Sequence, residues 1–377
     1  MIFPIDSLKN EILQSISCKD FLIIKSTPGS GKTTRVPLFL REIFKNKIYI
    51  LEPRKLAAKL ASQYVAKGLG ELPGQTVGHI FKYENSTTTN TQIIFLTEGT
   101  FLRILANDPE LSDCDVVILD EFHERHYYTD VALSFLLKVK EKNKKLKIII
   151  MSATINLSEL DVLLGDRANT IILNENKYDL KIEYLRNDTL ILKEPMERKV
   201  FNALLLSEKT PGHVLIFLPG MFEIKKCEEL ISNNFKYEVV ILHGEMGGVD
   251  ISDEYYNLNN KKIILSTNIA ESSVTIPGVR TVIDTGFHKI SRLNPITRLP
   301  IVELKKISQS SAIQRANRSS REAEGKAYRL YSEFDYQSRA QFDTPEINRT
   351  DLSELILTAA DIFNSKITDL TFLSPLE

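Results

Sequence analysis

Short apolar runs alternate with longer amphipathic stretches along most of the chain. FLIIKS (21–26), KIYILE (47–52), TQIIFLT (91–97), DVVILDE (115–121) and KIIIMSAT (147–154) are nearly continuous in Ile, Val, Leu and Phe. They lack the in–out alternation of half-exposed strands and predict strands buried on both faces, as in a parallel sheet covered by helices. Each is followed by a polar turn and a stretch with helical spacing, the order of repeated βαβ units. A second series runs through HVLIFLPG (213–220), YEVVILHG (237–244), KKIILST (261–267) and RTVIDTG (280–286), and closes near GKAYRLYS (325–332). The intervening NENKYDLKIEYLRND (174–188) is polar and poor in helix signals, which places a lobe boundary there. DLSELILTAADIF (351–363) predicts one amphipathic helix opening at an Asp cap. The expected class is α/β: two tandem domains over 1–175 and 176–340, each a mostly parallel sheet flanked by helices, then a short helical region over 341–377.

A length of 377 residues fits that division. No apolar run approaches the roughly 20 residues of a membrane span, and the polar N-terminus does not read as a signal peptide. Cys18, Cys114 and Cys227 are far apart and form no pair or metal-like cluster, which fits a reducing, cytoplasmic setting. The net charge of −1 gives no sign of a polyanionic partner. The densest basic run, between Lys138 and Lys147, reads as a solvated helix end. The six histidines show no metal spacing. Phe and Tyr are scattered among apolar runs and read as core.

Chemistry enters with Ser26-Thr27-Pro28-Gly29-Ser30-Gly31-Lys32-Thr33-Thr34, between the first strand and a helix pattern. Small residues let backbone N–H groups curl around a triphosphate at a helix N-terminus. In this reading Pro28, Gly29, Ser30, Gly31, Lys32, Thr33 and Thr34 bind ATP. Lys32 neutralises β/γ oxygens and Thr33 completes a Mg²⁺ shell. Asp120 and Glu121 end a buried strand, the edge where ligands bind in open α/β sheets. Asp120 would hold the metal with Thr33, and Glu121 would orient and deprotonate the attacking water. His123 stands where it could couple the site to the other lobe. Together these features predict an NTPase and leave motor, kinase and transporter open.

Further strings stand in fixed order: Glu52-Pro53-Arg54-Lys55-Leu56-Ala57-Ala58, Thr97-Glu98-Gly99-Thr100, Ser152-Ala153-Thr154, Phe217-Leu218-Pro219-Gly220, Leu242-His243-Gly244, the run from Ser266 to Ile276, and Gln314-Arg315-Ala316-Asn317-Arg318-Ser319-Ser320-Arg321. This series, over about residues 20–360, resembles superfamily 2 DExH/DEAH-box RNA helicases, and within them the bacterial HrpB-type branch. The resemblance implies two RecA-like P-loop NTPase lobes and an ATP-dependent motor moving 3′ to 5′ on single-stranded or partly duplex RNA, with DNA not excluded. It implies a monomer using Mg²⁺ with ATP and possibly other NTPs.

By the same resemblance Ser152 and Thr154 belong to the ATP site and link hydrolysis to lobe movement. Pro53, Arg54, Thr97 and Gly99 line the nucleic-acid track of the first lobe, and Gly220 and Thr267 that of the second. Gln314, Arg318 and Arg321 act on the γ-phosphate alongside Glu121. Arg54 or Lys55 and Tyr255 or Tyr256 are candidates to sandwich the base, and a strand-splitting hairpin falls between Gly286 and Lys306. Two departures stand out. Asn317, Ser319 and Ser320 replace the Gly, Ala and Gly of the family's last motif, and the chain ends where relatives continue into further domains. The rival readings are an RNA-stimulated ATPase or translocase without strand separation, and a non-catalytic nucleotide-gated RNA clamp.

Overall fold

The structure is a computed structural model that describes residues 3–27, 29–154, 156–173, 178–184, 194–243, 260–271, 276–294, 296–297 and 299–376. Two compact units emerge: Met1–Glu175 with Thr344–Glu377, and Asn176–Asp343. The 341–377 stretch, expected as a region of its own, therefore belongs from Thr344 onward to the first unit.

The first unit is built on an eight-stranded sheet: β1 (Phe21–Ser26), β2 (Lys47–Leu51), β3 (Val77–Phe81), β4 (Glu84–Asn85), β5 (Ile93–Leu96), β6 (Cys114–Leu119), β7 (Lys147–Ser152) and β8 (Ala168–Leu173). Its order is β4-β3-β5-β2-β6-β7-β1-β8. The short β4 runs antiparallel to β3, and the other pairings are parallel. Because successive side chains point to opposite faces, β1 divides its apolar residues. Phe21 and Ile23 enter one core with helices α4 (Glu98–Asn107), α5 (Tyr127–Lys142) and α6 (Leu157–Leu164). Leu22 and Ile24 enter the other with α1 (Lys9–Cys18), α2 (Lys32–Leu40) and α3 (Lys55–Gly68).

The second unit carries a six-stranded parallel sheet, ordered β11-β12-β10-β13-β16-β9. Its strands are β9 (Leu180–Tyr184), β10 (His213–Phe217), β11 (Glu238–Leu242), β12 (Lys262–Ser266), β13 (Val279–Asp284) and β16 (Gly325–Arg329). Helices α7 (Met196–Leu206) and α8 (Met221–Asn234) cover one face. Strands β14 (Phe287–Leu293) and β15 (Pro300–Lys306) form the expected hairpin, antiparallel, with the Asn294 side chain accepting the N–H groups of Ile296 and Thr297 at its turn. The arginine-rich segment begins in α9 (Gln309–Ala316), and a short α10 (Glu333–Gln337) follows β16.

Several expectations need correction. The polar stretch given to the lobe boundary contains β9, an edge strand on β16. Strands β3 and β8 also escaped the apolar pattern. The basic run is not uniformly solvated: Lys140 is 7 % exposed, pairs with Asp20 at 3.0 Å and donates to the carbonyls of Lys144 and Leu146. The last helix, α11 (Ser353–Phe363), begins two residues after Asp351. Its N-cap position is Leu352, and the Asp351 carboxylate accepts the Ser353 N–H at 2.7 Å. Leu355, Ala359 and Ile362 of α11 are buried with α4 and α5, and Phe363 meets Phe135 edge-on at 5.1 Å. Among the described residues several aromatics are exposed, not core, among them Tyr83 at 85 %, Phe334 at 80 % and Phe222 at 64 %.

Candidate nucleotide site and nucleic-acid-facing residues

The phosphate loop turns between β1 and α2 because two glycines take left-handed backbone, Gly29 at φ +87° and Gly31 at φ +89°, where a side chain would be strained. Gly31 has a second reason to lack one, since a Cβ there would stand 2.7 Å from Phe3. Ser26 and Ser30 share a buried hydroxyl–hydroxyl hydrogen bond of 2.9 Å, so the serine at the head of the motif is part of the loop's framework. Pro28 lies outside the described residues. Thr34, in the first turn of α2, bonds its hydroxyl to the Gly31 carbonyl.

The acidic strand end faces this loop. Lys32 is 5 % exposed and donates from Nζ to Glu121 Oε1 at 2.8 Å. The Thr33 hydroxyl donates to Asp120 Oδ2, while Asp120 Oδ1 accepts the Glu121 N–H. Glu121 itself has φ +48°, a strained left-handed position for a residue with a side chain. Burial pushes Asp120 up to about 6 against the pull of Lys32. Burial would raise Glu121 also, but the charge and hydrogen bond of Lys32 outweigh it and hold it below its usual range. Lys32 is kept charged despite burial by Glu121 and Asp120. Glu52, at the end of β2, is 3 % exposed, and burial beside Asp120 and Glu121 holds it well above the carboxylate range.

His123 connects this cluster to the Ser-Ala-Thr string after β7. Its Nδ1 accepts the Ala153 N–H at 3.3 Å and lies 3.5 Å from Glu121 Oε2. Burial keeps the imidazole neutral despite the nearby carboxylates. Ser152 is fully buried, and its hydroxyl donates to the Thr154 carbonyl. A Mg²⁺ ion prefers oxygen donors and typically takes one or two from protein and the rest from phosphates and water. The Thr33 hydroxyl and the Asp120 carboxylate, within a surplus of buried acid, fit that demand.

The candidate nucleic-acid residues of the first unit follow the ends of β2 and β5, at the same strand edge. Pro53 and Arg54 follow β2, with Arg54 Nη2 donating to Glu124 at 3.2 Å. Thr97 and Gly99 open α4 and border a groove of about 620 Å³, walled by α4 and α11 and rimmed by Lys55, Lys82 and Arg103. Lys55 also lies over the Phe81 ring at 5.4 Å. Tyr255 and Tyr256 lie outside the described residues.

In the second unit Gly220 caps α8, and a Cβ there would meet Lys289 Nζ of the hairpin at 2.8 Å. Thr267 follows β12 and is 8 % exposed. Gln314 is 6 % and Arg318 4 % exposed. Arg318 Nε donates to the Glu271 carbonyl at 2.9 Å. Arg321 follows the 3₁₀ turn Asn317–Ser320. Asn317 takes φ −61°, a right-handed backbone open to any residue, and Ser319 donates to the Ala316 carbonyl. The departures from the family's glycines therefore impose no left-handed conformation at Asn317.

Sequence reasoning missed the residue that organises this segment. Arg315 is fully buried and joins Glu271 at 3.0 Å to Asp284 at 2.8 Å, beneath the Phe217 ring at 4.9 Å. The available signal was an ionisable residue ending the apolar strand RTVID, which needs a buried partner.

A left-handed glycine loop entering a helix and facing a buried Asp-Glu pair, on the first of two tandem parallel sheets, defines the RecA-like P-loop NTPase class. The DEAD/DEAH box helicase family model matches residues 7–163 and the helicase conserved C-terminal domain matches residues 196–323. The chain is 36 % identical to the ATP-dependent RNA helicase HrpA of Borreliella burgdorferi over 98 % of this chain and 46 % of that protein. It is 33 % identical to Escherichia coli HrpB over 94 % of this chain and 44 % of that protein. The crystal structure of E. coli HrpB superposes with a TM-score of 0.90 at 31 % identity, covering this whole chain and 48 % of the other. The chain thus spans about half or less of the length of these relatives. It belongs to the DEAD/DEAH-box helicase family. Among the described residues no helix is long and apolar enough to cross a membrane.

Proposed function

We propose that this chain is the motor core of an ATP-dependent RNA helicase, converting ATP hydrolysis into 3′-to-5′ movement on single-stranded RNA and into duplex unwinding or remodelling of RNA–protein complexes. The observation that carries the reading is the convergence of Lys32, Thr33, Asp120 and Glu121 on one point. Thr33 and Asp120 would hold Mg²⁺, which when bound would screen the phosphate charge. Lys32 exchanges its bond to Glu121 for a phosphate oxygen. Glu121, held anionic and released from that partner, accepts the proton of the attacking water. Neutral His123 passes the state of Glu121 to Ala153 and so to the Ser152–Thr154 string. Arg318 and Arg321 bring positive charge to the γ-phosphate, and Gln314 adds a neutral amide that can hydrogen-bond there. Pro53, Arg54, Thr97, Gly99, Gly220 and Thr267 hold the RNA strand. The chain acts as a cytoplasmic monomer, and its free cysteines suit a reducing compartment.

The test is steady-state ATP hydrolysis with and without single-stranded RNA, beside Lys32→Ala and Arg318→Ala. RNA-stimulated turnover abolished by both substitutions supports the motor. RNA binding without turnover would turn the reading to a nucleotide-gated clamp.

A further inference from the structure

The chain leaves the acidic strand end through Arg125, a left-handed residue at φ +45°, and there it meets residues from its far end. The Arg125 carbonyl accepts the Glu346 N–H at 3.0 Å, and its Nη2 donates to the Ser374 hydroxyl at 3.0 Å. The Tyr127 N–H donates to Glu346 Oε2 at 3.0 Å. Between these lies His126, with Nε2 2.5 Å from Glu124 Oε2 and Nδ1 3.2 Å from Glu346 Oε2. A neutral imidazole has one N–H and cannot donate to both carboxylates; an imidazolium can. Burial opposes that charge, but the two carboxylates outweigh it and lift His126 to about 10. The oxygen of Glu124 that takes His126 also takes Arg54 Nη2, at 3.2 Å. A continuous path of charge-assisted bonds runs Glu346–His126–Glu124–Arg54.

We propose that Glu346 is a positioning residue for the nucleic-acid contact made by Arg54, acting through His126 and Glu124. The inference rests on the reading of Arg54 as an RNA contact. A guanidinium is an effective phosphate ligand when its fork is held in one orientation, and here that orientation depends on a carboxylate fixed from behind by His126. Glu346 stands two residues beyond the point where the chain returns to the first unit at Thr344. The strength of the RNA grip is thereby tied to how the returning segment is seated, with no contact between that segment and RNA required.

The experiment measures ATP turnover of the full chain against concentration of single-stranded oligouridylate, giving the half-saturating RNA and kcat separately. Arg54→Ala raises half-saturation about tenfold, the scale of one lost charge-assisted phosphate contact. Glu346→Gln and His126→Leu raise it about fivefold with kcat at saturating RNA changed by less than about twofold. His126→Arg restores the wild-type value, since an arginine fork can serve two carboxylates. Glu346→Gln added to Arg54→Ala has no further effect, because the path ends at Arg54. The proposal is overturned by wild-type half-saturation in Glu346→Gln, by additivity of the two substitutions, or by a fall in kcat and melting temperature at unchanged half-saturation. A silent Arg54→Ala removes its premise and overturns it too.

Discussion

The two units carry opposite surpluses of buried charge. At the strand edge of the first, Glu52 and Asp120 are almost fully buried, with Glu121 and Glu124 close by, against Lys32 and Arg54. Burial and mutual repulsion push Glu52 and Asp120 up. In the second unit Arg315, Arg318, Arg329 and Arg339 are all buried, against Glu271, Asp284 and the partly buried Asp335. Neither surplus serves stability, since an unmatched buried charge is costly. An acid surplus suits a divalent cation and a water to be deprotonated, and an arginine surplus suits a phosphate. The comparison also separates two kinds of arginine one helical turn apart. Arg315 is neutralised by two acids and holds the segment together. Arg318 is anchored at Nε by the Glu271 carbonyl and is the one proposed to act on phosphate.

The largest effect should come from the groups assigned to chemistry. Glu121→Gln and Arg318→Ala should each lower turnover on the order of 10³-fold, with nucleotide affinity within a few-fold. Phosphate release and nucleotide binding, measured on the same preparations, check this. Retained turnover in Arg318→Ala would erase the distinction drawn between the two arginines.

Arg315 should behave in the opposite way. Arg315→Ala leaves Glu271 and Asp284 buried without their cation and should cost about 3–5 kcal/mol in denaturant unfolding. Glu52→Gln replaces a carboxyl that burial already favours in its neutral form, and should stay within about 1 kcal/mol of wild type. Equal losses in the two variants would show that the acid cluster is as tightly matched as the arginine cluster, contrary to the comparison.

This contrast also marks what was legible in the sequence. Strands buried on both faces, such as β1, β2 and β10, announce themselves because every position is apolar. Strand β9, LKIEY, lies at a sheet edge and keeps polar residues facing out, so it reads as a loop. β3 hides because Gly78 and His79 interrupt it. In the site, residues in local strings were readable by spacing: Gly29 to Thr34, Asp120 and Glu121. The role of Arg315 is not readable from its own string, because its partner Glu271 lies 44 positions away. Glu346 lies 220 positions from His126, and no local pattern joins residues separated by an entire second unit.

The smallest effect sharpens the comparison through pH. His126 is lifted from its usual 6.5 to about 10, so the folded state binds its proton more tightly than the unfolded chain does. The stabilisation is fully present below pH 6.5 and drains away as pH rises through about 10. The His126 side chain is 40 % exposed, so solvent screening limits the effect to about 1 kcal/mol. The melting temperature of His126→Leu should therefore fall below wild type by about 2 °C near pH 6, and the gap should close toward pH 10. Arg315→Ala should show the opposite trend: Glu271, already raised by burial, loses the cation that opposes that rise, so the variant's deficit should grow as pH rises from acid toward alkaline values. A His126→Leu gap that is constant with pH would mean that the imidazole contributes by packing alone, and that the path from Glu346 to Arg54 does not run through its charge.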